Sequence, residues 1–288
     1  MRPREAPGTI AGASVDLSGE QLRIVVLGDS VATAFGTTTT SWPEEMRQIL
    51  TVATHRPVTV RTFALHVQTA ERSLRRNVTK TAALAPAVVV VAHGGAEALL
   101  TSPGYLQRSE VGTSAVASCG TVRGMARDLS WQMFLRLLQL HPPGLERFLG
   151  RIGIRPRSSS EAFAATYAEL VFRLLEDTSA HLVLLRSCGG LQRGFPFSKR
   201  TIDANDALIG SVHGRLRCTG RTSVVSPRRF MDLRQVLLDD GAHLNDTGHA
   251  QLGQAVAIHI LDRLADLETA PLPSTAAHLR SALPATTS

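Results

Sequence analysis

Cysteine is scarce in this chain, and its copies are badly placed for the work that cysteines do in groups. Cys119, Cys188 and Cys218 are the only three, widely spaced and without a C-x-x-C pair, which speaks against a disulfide scaffold and against a zinc site. An odd, unpaired set suits a reducing compartment, and the cytoplasm is the expected location. Aromatic residues make up 5% of the chain and no recognition motif accompanies them, so nucleic acid is not an expected partner. Long apolar runs are missing as well. No stretch approaches the ~18 residues of a membrane-spanning helix, and Met1–Asp16 carries charge without the apolar core of a signal peptide, so no membrane partner is expected either. Lysine is nearly absent: Lys80 and Lys199 are the only two, and arginine carries the formal net charge of +7. The simplest source of that bias is compositional, a GC-rich coding sequence. Read chemically, guanidinium groups favour carboxylate or phosphate, which would suit an anionic small-molecule substrate.

What is present is an alternation of short β-branched runs with amphipathic stretches. Leu22–Gly28, Pro57–Phe63, Ala87–Ala92, His181–Arg186 and Thr222–Ser226 read as strands, and the unbroken A-V-V-V-V-A of the third is what a strand covered on both faces looks like. Between them, helical patterns begin near Trp42 with Ser41 as the expected cap, run from Ala70 to Leu84, from Ser160 to Glu176 and from Thr201 to Arg215, and close the domain after Asn245 or Asp246. Such alternation predicts an α/β domain with a parallel sheet and helices on both faces. The domain spans residues 21–268, between an N-terminal arm over 1–20 and a C-terminal tail over 269–288, both expected to be flexible. A stretch over about 102–160 interrupts the pattern, with helical character at Asp128–Leu140 and Leu145–Leu149. It is longer than a normal connection and reads as a helical insertion, a lid over the site. Its arginines, Arg151, Arg155 and Arg157, are the candidates for meeting an anionic substrate.

The chemistry is expected at the end of the first strand, where L-R-I-V-V-L stops at Gly28-Asp29-Ser30. Loops at the C-terminal ends of parallel strands are where open α/β sheets hold their ligands. A serine hydroxyl is a weak nucleophile unless a base takes its proton. Far along the chain, Asp240-Gly241-Ala242-His243-Leu244-Asn245 offers an imidazole with a carboxylate three residues earlier, a spacing that can steady its other nitrogen.

These two blocks, G-D-S-V-A-T-A-F-G and D-G-A-H-L-N-D-T-G-H, resemble those of the SGNH (GDSL) hydrolase family. The resemblance implies a three-layer, flavodoxin-like fold with a five-stranded parallel sheet, no cofactor and no metal, and a triad of Ser30 as nucleophile, His243 as base and Asp240 as its orienting acid. It covers roughly residues 20–265 and is weak in the middle. There the family's oxyanion donors are a glycine and a glycine-asparagine pair. By position the glycine falls near Gln68, and the pair falls on Gly95-Ala96-Glu97, so Ala96 stands where the asparagine would be. Gln68, through its backbone or its amide, together with His66 and His93 at strand ends, are candidates to take over. Glu97 could face the pocket as an acid or hold a cationic group, against the plainer role of an acid favoured at a helix N-terminus. The segment Ser187–Phe197 is expected to shape the pocket, with Cys188 as a conceivable other nucleophile. Three functions remain open at this stage: an esterase-type hydrolase, an acyltransferase passing its acyl group to an acceptor other than water, and a ligand-binding scaffold without turnover.

Overall fold

The computed structural model describes residues 21–35, 38–65, 68–98, 100–101, 155–187, 198–238 and 243–269. The N-terminal arm, the C-terminal tail beyond Thr269, both helical stretches of the insertion and Cys188 lie outside them, as do Arg151 and the side chain of Arg155. Among the described residues the strands are β1 (Leu22–Gly28), β2 (Val58–Ala64), β3 (Val88–Ala92), β4 (Leu100–Thr101), β5 (Arg155–Pro156), β6 (His181–Leu185) and β7 (Thr222–Val225). The helices are α1 (Trp42–Thr54), α2 (Ala70–Ala83), α3 (Gly95–Ala98), α4 (Ser160–Asp177), α5 (Ser198–Leu216), α6 (Leu233–Val236) and α7 (Asp246–Thr269).

Five of the strands form one parallel sheet in the order β2-β1-β3-β6-β7, the flavodoxin-like succession of a doubly wound sheet. β1 is the second strand of the five, flanked by the edge strand β2 on one side and the central strand β3 on the other, so the loops that border the end of β1 are those that follow β2 and β3. The remaining two strands pair antiparallel, Leu100 with Pro156 and Thr101 with Arg155, which closes the chain ends on either side of 102–154.

Both faces of the sheet are covered. Ile24 and Val26 of β1 pack with Trp42, Met46 and Leu50 of α1 and with Leu252, Val256 and Ile260 of α7. Val25 and Leu27 point the other way, toward Phe163, Tyr167, Leu170 and Leu174 of α4 and Ile209 of α5. Each such side chain, fully buried, contributes about 1.5–3 kcal/mol, and this sandwich is what holds the strand ends rigid. The local signals behave as their chemistry dictates, with one exception. Thr69 caps α2 by accepting from Arg72 N, Ser159 caps α4 by accepting from Ala162 N, and Asn245 caps α7 by accepting from Gly248 N. Ser41 does stand at the cap of α1, with Pro43 in its first turn, but its side chain makes no capping bond. Its backbone carbonyl accepts the N–H groups of Glu44 and Glu45 instead. No helix among the described residues is long and apolar enough to cross a membrane.

Candidate active site

β1 ends in a turn that leaves no room for a side chain at its start. A Cβ on Gly28 would lie 2.8 Å from Ala32 Cβ and 3.3 Å from the Ala92 carbonyl oxygen, so glycine is what lets the chain fold back into the short 3-10 turn Ser30–Ala32. That turn is capped by Asp29, whose Oδ1 accepts from Val31 N at 3.0 Å. The capping role a serine often plays is thus taken by its neighbour, and the Ser30 hydroxyl is left for other work.

It points at the imidazole of His243. Ser30 Oγ lies 2.9 Å from His243 Nε2, across 213 positions of sequence. His243 sits just before α7, where the Leu237–Leu244 bridge and the bond from Leu238 N to the His243 carbonyl hold its backbone, and where Leu244 is wholly buried in the core beneath. Ser30 and His243 are both only partly covered, so the pair faces outward. Two further features shape this corner. Phe35, 47% exposed, lays its ring 4.4 Å from that of His243. Thr38 and Thr39 bond to the Asp246 carboxylate at the first turn of α7, tying the chain after the serine turn to the helix beside the histidine. Phe35 was legible only as a lone apolar residue in a glycine- and threonine-rich loop, which is a weak signal.

The other sequence candidates divide into those outside the described residues, Asp240 and His66, and those the structure turns inward. Gln68 is 2% exposed. Its amide nitrogen donates to the Phe63 carbonyl at 2.9 Å and to Ser73 Oγ at 2.8 Å, and its backbone N–H donates to the Leu65 carbonyl. Every donor of Gln68 is therefore occupied, which corrects the expectation that it supplies an oxyanion donor. His93 is 1% exposed with Nε2 2.8 Å from Ser73 Oγ. Burial pulls its pKa down to about 3, so the ring is neutral. The Gln68 and Asn77 amides both face Ser73 Oγ, which assigns the serine proton to His93 Nε2 by elimination. His93 thus belongs to a buried polar cluster and not to the mouth.

Glu97 is likewise not a pocket acid. It is 2% exposed, with Oε1 accepting from Ala70 N at 2.6 Å and Oε2 from Gly94 N at 2.9 Å. Burial pushes its pKa up to about 7, against the pull of those N–H groups. The helix N-terminus it serves is that of α2, which comes from another part of the chain. Ala96, in the place of the implied asparagine, has its N–H donating to Asp29 Oδ2 at 3.1 Å. Asp29 is itself buried, which raises its pKa, while the Val31 and Ala96 N–H groups and the nearby His243 pull it back. Gly94 adopts φ +121, a conformation open to glycine, and its carbonyl accepts from Asn205 Nδ2 of α5 at 3.0 Å. Gly95 lies between the serine turn and the end of β6: a Cβ there would stand 3.4 Å from both Asp29 Oδ2 and Ser187 Oγ.

Other histidines are structural. His249 Nδ1 accepts from Trp42 N at 3.0 Å, joining α7 to α1, and His259 Nε2 lies 2.8 Å from Ser223 Oγ. Cys218 is a free, exposed thiol far from the serine in the fold, on the turn after α5. Among the described residues no group of three or more His, Cys, Asp or Glu is arranged to hold a metal ion.

No family model and no curated protein matches the chain. Solved structures do. The lipase/acylhydrolase from Enterococcus faecalis superposes with a TM-score of 0.56 at 14% identity, covering 88% of this chain and 98% of that one. TesA gives 0.52 at 16% identity, with 85% and 99% covered. Axe2, an acetylxylan esterase from Geobacillus stearothermophilus, gives 0.52 at 13% identity, with 88% and 97% covered. At such identities the likeness is one of architecture, and it agrees with the sheet order: this chain has the SGNH hydrolase fold.

Proposed function

We infer that this protein is a serine hydrolase of the SGNH type acting on an ester or related acyl group. The observation that carries the reading is the 2.9 Å contact between Ser30 Oγ and His243 Nε2, made at the C-terminal end of β1 by residues from opposite ends of the domain. In this reading Ser30 attacks the carbonyl carbon as His243 Nε2 takes its proton. The carbonyl oxygen, now anionic, is held by the Ser30 backbone N–H with help from the turn around Gly95. His243 then returns the proton to the leaving alcohol, and water repeats the sequence on the acyl-enzyme. Asp240, by its spacing, is the residue to fix the imidazole tautomer and balance the imidazolium. The fold supports this reading, since the Enterococcus faecalis neighbour is a lipase/acylhydrolase and Axe2 an acetylxylan esterase. The substrate is expected to be a small acyl compound, met in the cytoplasm without cofactor, metal or nucleic acid.

A fluorophosphonate probe tests it. The protein should be labelled and Ser30→Ala should not; an unlabelled protein would leave a ligand-binding scaffold as the reading. Given labelling, release of acid from a panel of p-nitrophenyl esters, with and without alcohol or amine acceptors, separates hydrolysis from acyl transfer to those acceptors.

A further inference from the structure

Two buried carboxylates lie beneath the serine, and neither has a partner of opposite charge among its bonds. Both accept backbone N–H groups, and the pattern of those bonds follows the sheet order. β2, β1 and β3 are neighbours, so the loops leaving their ends stand side by side with the serine turn in the middle. Asp29 bridges the middle loop to the β3 loop, through Val31 N and Ala96 N. Glu97 bridges the β3 loop to the β2 loop, through Gly94 N and Ala70 N. Three adjacent loops are thereby joined in series by two side chains, 5% and 2% exposed.

The consequence bears on the oxyanion. Ala96 has no side-chain donor and its N–H is taken by Asp29; all donors of Gln68 are taken, by the Phe63 carbonyl of β2, the Leu65 carbonyl and Ser73 Oγ of α2. Any backbone N–H that helps Ser30 must then come from the flanking loops, and its position is set by whatever holds those loops. We propose that Glu97 is a positioning residue for the acyl-transfer site, fixing the loops after β2 and β3 against each other so that their backbone groups stand correctly around Ser30. The geometry is specific to a carboxylate: it must accept at both oxygens, one bond from the N-terminus of a 14-residue helix and one from a glycine at φ +121. Displacement of a donor by about 1 Å can cost up to ~100-fold in rate with little change in binding.

This rests on the reading of Ser30 as nucleophile, and the experiment keeps the two apart. Glu97→Gln presents an N–H₂ toward one of the two N–H donors and so breaks one arm at nearly constant volume. Active serines are first counted with the fluorophosphonate, and ester hydrolysis is then expressed per labelled serine. A fall in kcat of about 10- to 100-fold per labelled serine with KM within about twofold is expected, while Glu71→Gln, on the exposed first turn of α2 with Arg75, should match the wild type. Should Glu97→Gln not fold, Ala70→Pro carries the same test. Proline suits the first turn of a helix, removes the N–H that Oε1 accepts and pushes the carboxylate away, so the same loss is expected. Wild-type kcat per labelled serine in the variant that folds would overturn the proposal. Labelling that survives Ser30→Ala would instead overturn the reading beneath it.

Discussion

The two flanks of the mouth are built on opposite principles. On the α1/α7 side, Ser30, His243 and Phe35 are partly exposed, and their functional atoms meet each other at the surface of the sheet edge. On the β3/α2 side, Gln68, His93, Glu97 and Ser73 are all within 2% of full burial, and the Gln68 amide nitrogen, both Glu97 carboxylate oxygens, the Ser73 hydroxyl and His93 Nε2 are spent on one another and on backbone groups. A buried polar group must be bonded because leaving it unpaired costs on the order of 1–3 kcal/mol. A catalytic group must keep some capacity free for substrate. The comparison teaches that polar residues at a strand end divide by whether their donors are already committed, and that this decides chemistry from scaffolding more surely than closeness to the serine does.

Four outcomes would sharpen or break that division. The largest belongs to the exposed flank: Ser30→Ala or His243→Ala should each lower ester turnover by roughly 10⁴-fold or more while leaving the denaturation midpoint nearly unchanged. A variant retaining a tenth of the activity would place the chemistry elsewhere. Next comes the buried flank, where Gln68→Ala strands the Phe63 carbonyl and should cost about 2–3 kcal/mol of stability, read from chemical denaturation. A neutral result would mean that this cluster is not a structural core.

The third concerns pH. Burial lowers the pKa of His249 to about 4 from its ordinary 6.5. The unfolded chain therefore takes up a proton below pH 6.5 that the folded chain refuses until about pH 4, and stability is lost as pH falls across that window. The loss approaches about 1.4 kcal/mol per pH unit for the one group. His249→Asn keeps an acceptor for Trp42 N without titrating, so its stability should decline less steeply by about one proton's worth; parallel curves would refute the account. Glu97, raised to about 7, works in the opposite sense, its contribution fading as pH rises from 4.5 to 7, and the comparison of variant with wild type removes it. The smallest effect is expected from Phe35→Ala, which loses one ring contact with His243 worth about 0.5–1.5 kcal/mol. It should reduce kcat/KM about two- to tenfold, with a loss of stability no larger than that one contact because the ring is half exposed.

The alternation of strands and helices was legible because both faces of a parallel sheet are apolar, and a strand such as Val88–Ala92, buried from Val88 to Val91, has no polar positions to obscure its period. The serine and histidine were legible for another reason: each stands in a turn whose neighbours are dictated by local geometry, the glycine before the Ser30 turn and the asparagine cap after His243. Of the two readings of Glu97, the structure supports the acid at a helix N-terminus, though the helix is α2 from another part of the chain. Gln68 escaped the sequence because its partners, the Phe63 carbonyl and Ser73 Oγ, are a backbone group and an ordinary serine, which carry no motif.

From neighbouring residues alone, then, come the class of fold, the strand that delivers the candidate serine and the residue types able to activate a hydroxyl, since periodicity and turn chemistry are local properties. Only the tertiary structure decided which polar side chains at the sheet edge remain available. That depends on which donors and acceptors arrive from other strands and helices when the loops after β1, β2 and β3 are brought side by side, and a hydrogen bond between distant segments exists only once the chain has closed around it.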